Sequence, residues 1–108
     1  MRTYEHIAYL LMFMLKQSGK SRFRLSRKSL QEISGRDVLK TALITNIGEW
    51  MEGYAVILPL NRGGYVVISQ ESLEGIAPIK IGDVLPNWKA LSVDKLRIDI
   101  GEGDEDDE

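Results

Sequence analysis

The sequence predicts a single mixed α+β domain, with three helices ahead of a small antiparallel sheet and an extension after it. Three observations carry this. Residues 4–17 hold no glycine or proline and are apolar on nearly every side. Residues 36–52 place Leu39, Leu43, Ile47 and Trp50 at helical spacing on one face. Residues 54–60 and 65–69 are rich in Val, Ile and Tyr and flank Asn61-Arg62-Gly63-Gly64, whose residues tolerate positive φ and predict a hairpin. A chain of 108 residues has room for one such domain.

The first helix is capped by Thr3 and ended by Gly19. Ile7, Leu10, Leu11, Met14 and Leu15 form its inner stripe, but Tyr9, Met12 and Phe13 are apolar on the other side. A helix with two apolar faces is buried on both. The second face is expected to meet another copy of the chain, giving a homodimer through Tyr9, Met12 and Phe13. The alternative is that the C-terminal segment of the same chain folds back over it. The nine-residue run 7–15 falls far short of the roughly 20 residues that span a bilayer. Glu5, and the lack of a small-x-small cleavage site after the run, argue against a signal peptide.

Phe23-Arg24-Leu25 alternates apolar and basic and predicts a short strand. Ser26 then caps a short helix over 27–33, with Leu30 and Ile33 facing inward. Ser34-Gly35-Arg36-Asp37 resembles a capping box and predicts that the next helix starts at Arg36. Its outer face carries Asp37, Thr41, Ile44, Thr45 and Gly48, with Lys40 at the edge, and Gly48 is expected to let the end fray or bend. Pro59 lacks an amide donor and belongs where a strand faces solvent or its ladder has ended. Beyond Gln70 the pattern predicts a helical turn at 72–74, a short strand within 76–84, a short helix from 86 capped by Asn87, and an edge strand at 95–100. The organisation is therefore a domain over 1–70, an extension over 71–101 that packs on it or makes a dimer contact, and a disordered acidic tail over 102–108.

Charge is segregated. The last seven residues, EGDEDDE, hold six of the sixteen acids, which leaves 14 basic against 10 acidic side chains in the rest. Residues 16–40 alone carry eight basic side chains against Glu32 and Asp37. A basic block in an otherwise balanced chain is the footprint of a phosphate-backbone binder. Arg62 is the only basic residue between Lys40 and Lys80, and it sits at the hairpin tip.

Other chemistries find little support. There is no cysteine, which excludes disulfides, cysteine-zinc sites and thiol catalysis and fits a reducing, cytoplasmic setting. His6 is the only histidine and has no neighbours at metal-ligand spacing. Gly19-Lys20-Ser21 lacks the upstream glycine of a phosphate-binding loop, since Met14 stands there, and follows a helix rather than a strand. Trp50 and Trp88 read as core residues. The expectation is a non-enzyme with no metal and no cofactor.

The order helix, short strand, short helix, longer helix, hairpin resembles the winged helix-turn-helix superfamily over residues 4–69. The resemblance implies that 36–52 is the recognition helix, 27–33 its supporting helix and 54–69 the wing. On that reading Arg36, Lys40, Thr41, Ile44 and Thr45 face the major groove, where arginine and lysine pair with guanine or phosphate and threonine meets phosphate or a thymine methyl. Arg27 and Lys28 meet phosphates, and Arg62 reaches a phosphate or a narrow minor groove. The expected function is a small cytoplasmic regulator that binds double-stranded DNA as a homodimer. The alternative is a winged-helix module that docks other proteins without touching DNA.

Overall fold

The structure, a computed structural model, describes residues 1–101. The expected disordered tail, 102–108, lies outside the described residues. Two compact units divide at Ile76/Ala77.

In the first unit, α1 (Tyr4–Ser18) is followed by β1 (Arg22–Leu25), α2 (Arg27–Ser34), α3 (Thr41–Trp50), β2 (Ala55–Pro59), β3 (Tyr65–Ser69) and α4 (Gln70–Glu74). The strands form one antiparallel sheet in the order β1-β3-β2. Register is set by the pleat: Leu25 stands opposite Tyr65, and Val67 lies between Phe23 and Ile57. Alternate residues Ala55 and Ile57, and Tyr65 and Val67, are buried on one face. They pack with Ile7, Leu11 and Leu15 of α1, Leu30 of α2, and Leu43, Ile47 and Met51 from α3 and its end. Fully burying a side chain such as Leu11 or Ile47 contributes about 1.5–3 kcal/mol each. Pro59 ends β2, an outer strand, where a missing donor leaves no ladder bond unmade.

Local signals fix the helix ends. The Thr3 hydroxyl accepts the His6 amide at 3.1 Å, and the Ser26 hydroxyl accepts the Ser29 amide at 3.1 Å. The expected capping box does not form, and α3 starts at Thr41, five residues after Arg36. Ser34 instead closes α2. It is fully buried, its hydroxyl donates to the Gln31 carbonyl and accepts the Arg36 amide. The Gln31 side-chain amide donates to the Asp37 carbonyl at 2.6 Å, which pins the loop that follows. Leu39 therefore reaches the core from a loop rather than from a helical turn.

Trp50 is another correction. It is 49% exposed, because the buried stripe runs Leu43, Ile47, Met51, a strict i, i+4 series that leaves position 50 outside. Past Gly48, α3 continues to Trp50 and ends two residues short of the expected Glu52.

In the second unit, α5 (Ile81–Val84) and α6 (Val93–Asp99) replace the strands expected within 76–84 and at 95–100. The short helix expected from 86 is a single 3₁₀ turn (Trp88–Ala90) that Asn87 precedes without a side-chain cap bond. The Ser92 hydroxyl caps α6 by accepting the Lys95 amide, and Lys95 pairs with Asp99 one turn on at 3.2 Å. In so short a window Leu96, Ile98 and Ile100 fit a strand's period, while Val93, Leu96 and Ile100 fit a helix's. Trp88, expected in a core, is exposed, as is every residue of 77–100 except Leu91. No helix among the described residues is long and apolar enough to cross a membrane.

Candidate nucleic-acid interface

Period-2 alternation in β1 buries Leu25 and leaves Arg22 and Arg24 exposed. Opposite Arg24 runs the loop between β2 and β3, closed by the Leu60 amide on the Gly64 carbonyl and the Gly63 amide on the Leu60 carbonyl. The Arg24 guanidinium donates to the Gly63 carbonyl at 3.3 Å and so ties β1 to the hairpin tip. Gly64 makes this possible. Its φ is +87°, and a Cβ there would stand 3.0 Å from the Leu25 carbonyl oxygen. Arg24, Arg27 and the two glycines line an open cavity of about 450 Å³. Arg62 projects from the same loop and is exposed, and Lys28 is exposed one residue beyond Arg27.

A second groove, about 230 Å³, lies between α3 and the hairpin strands. Lys40, Thr41, Ile44 and Thr45 line it on one side, Pro59 and Tyr65 on the other. Thr41 and Thr45 are exposed, whereas Ile44 also packs on the core. The Thr45 hydroxyl donates to the Thr41 carbonyl at 3.3 Å, leaving its oxygen free to accept. The two grooves adjoin along the backbone, since Gly64 lines one and Tyr65 the other.

Arg36 lines neither of these two grooves. Its guanidinium lies 5.2 Å from the centre of the Tyr4 ring, at the start of α1. Its Nη1 is shielded from solvent and has no acceptor among the described residues. A buried donor left unpaired costs about 1–3 kcal/mol, which the cation–π contact partly offsets.

Among the described residues, no carboxylate forms an ion pair with the basic side chains of this face. Among the described residues the one ion pair is Lys95–Asp99, in the second unit. Nor does any group of three or more His, Cys, Asp or Glu among them stand where it could hold a metal ion. No family model, no curated protein and no solved structure matches the chain. The reading of this face therefore rests on its own residues.

Arg24 was not among the site residues that sequence alone proposed. Its signal was present, because the alternation Phe23-Arg24-Leu25 puts the arginine opposite the buried leucine. The missing step was knowing which strand lies beside the hairpin tip. On α1, Tyr9 and Phe13 are 57% and 56% exposed, while Met12 is 9% exposed and belongs to the core of its own chain. The second apolar face of α1 therefore consists of Tyr9 and Phe13, without Met12.

Proposed function

We propose that the chain is a winged helix-turn-helix protein that binds duplex DNA in the cytoplasm, as a homodimeric regulator. The element order, with a short strand between the first two helices and a hairpin after the third, supports the winged-helix assignment. In this reading α3 approaches the major groove with Lys40, Thr41 and Thr45, and the β2–β3 hairpin is the wing. The observation that carries it is the cluster of Arg24, Arg27 and Arg62 around the hairpin tip, none paired with a carboxylate among the described residues. Unpaired cations gathered at a groove from three separate elements suit a phosphate backbone, which supplies most of the affinity of such interfaces.

Fluorescence anisotropy with a random duplex tests this. Contacts from Arg24, Arg27, Lys28, Lys40 and Arg62 would give a log–log salt slope of about −4 to −5. Absence of binding in the low-salt limit, by both the full chain and a variant lacking 102–108, would end the proposal.

A second reading has its own support. Tyr9 and Phe13 of the first unit expose apolar surface suited to a protein partner, and the second unit, by itself, exposes Ile79, Val84, Ile98 and Ile100. In that reading the chain is a protein-docking module without DNA contact. A stoichiometric partner that survives nuclease treatment, with no duplex affinity at low salt, would favour it.

A further inference from the structure

A cavity of about 480 Å³ opens between the start of α1 and the loop joining α2 to α3. Its size falls in the range of about 300–1,000 Å³ typical of small-molecule sites. Tyr4, Val38, Ala42 and Leu43 give it apolar walls, and Arg36 and Lys40 bring positive charge.

The walls are held in place before any ligand arrives. The Arg2 amide donates to the Ser34 carbonyl at 3.0 Å, and its guanidinium donates to the Ile33 carbonyl at 3.0 Å. Gly35, with φ +71°, lets the Met1 backbone approach so closely that a Cβ would stand 3.1 Å from the Met1 Cα. The Gln31 carbonyl accepts both the Gly35 and Arg36 amides, and the Gln31 side chain holds Asp37. A loop fixed at both ends keeps the cost of ordering low on binding.

We propose that this cavity binds a small amphipathic monocarboxylate, its apolar body against Tyr4, Val38 and Leu43 and its carboxylate on Arg36. Arg36 lines the cavity and has no ion-pair partner among the described residues; its Nη1 is shielded from solvent, so the Nε–Nη2 edge is the one that would meet the ligand. A planar guanidinium is matched to a carboxylate, which it can take in a two-point fork. Asp37 also lines the cavity and repels multiply charged anions, so a single negative charge fits better than a phosphate ester. Lys40 lines both this cavity and the α3 groove, so a bound carboxylate competes for a side chain of the proposed nucleic-acid face.

The site can be tested without nucleic acid. Two-dimensional amide NMR of the full chain is followed during titration with phenylacetate and, in parallel, with phenylacetamide. Phenylacetate is expected to give saturable shifts confined to Tyr4, residues 35–40, Ala42 and Leu43. The neutral amide should bind at least about tenfold more weakly, because it lacks the charge-assisted bond to Arg36. Arg36→Gln should weaken phenylacetate by a similar factor, and Ala42→Trp should exclude both probes by filling the cavity. Equal binding of acid and amide would overturn the proposal on the native chain, whatever the variants do. So would shifts scattered outside the cavity, or no saturable shift at concentrations on the order of 10 mM.

Discussion

At the scale of single residues, the hairpin tip depends on two side-chain identities. Arg24 bonds the Gly63 carbonyl from outside the hairpin, and Gly64 packs its bare Cα over the Leu25 carbonyl. Arg24→Ala is expected to weaken duplex binding uniformly across sequences and to reduce the salt slope by about 1, as for any lost phosphate contact. Thr41→Ala, by contrast, should change sequence preference in a competition assay, because Thr41 lines the α3 groove rather than the tip. An unchanged salt slope for Arg24→Ala would remove that side chain from the interface. Gly64→Ala should cost about 1–2 kcal/mol through its left-handed backbone alone, with the close carbonyl adding to it. Urea unfolding reads this directly, and wild-type stability in that variant would show that the loop rearranges freely. The basic residues were countable from sequence, and so was the exposure of Arg62. Which of them gather was not, because Arg24 meets Gly63 across 39 positions through a strand pairing that no local pattern specifies.

At the scale of elements, strong local signals carried through and weak ones yielded to burial. Thr3, Ser26 and the asparagine-glycine hairpin loop stand where capping and turn chemistry put them. The start of α3 did not follow its local signal. Ser34 and Asp37 have the spacing of a capping box, yet Ser34 is buried at the end of α2 and Lys40, with no side-chain acceptor to offer, takes the cap position. Tertiary burial of Ser34 and Leu39 outweighed a capping preference of about 1 kcal/mol. In 93–99 the apolar positions satisfy two periods, and capping by Ser92 and the Lys95–Asp99 pair favour the helix. Gly48 offers a test at this scale. It lies inside α3 without a positive φ, and a Cβ would meet Ile57 Cγ2 at an ordinary 3.8 Å. Gly48→Ala should therefore stabilise the fold by about 0.5–1 kcal/mol, through higher helix propensity and a less flexible unfolded chain. A lower urea midpoint in this variant would mean that β2 cannot accept even a methyl group.

At the scale of the whole molecule, the open question is what covers α1. Of its expected inner stripe Ile7, Leu11 and Leu15 are buried and Leu10 is half-buried, but Met14 is 38% exposed; Ala8 and Met12 join the core instead. Tyr9 and Phe13, four residues apart and so on one face, remain more than half exposed. A second copy docked through this face would bury both rings at once. Two rings bury at most about 500 Å², below the roughly 800 Å² that a stable interface takes from each partner, so neighbouring side chains must join them. Sedimentation of the native chain should then show a dimer. The double substitution Tyr9→Glu and Phe13→Glu should give a monomer with unchanged helical content, because neither ring supports the protomer's core. Its melting temperature should fall only by what association adds and no longer depend on concentration. The same variant should lose affinity for a DNA site with two half-sites about one helical turn apart, yet keep its affinity for a single half-site. A native chain that stays monomeric at every concentration tested would remove the dimer and leave the exposed rings to a different protein partner.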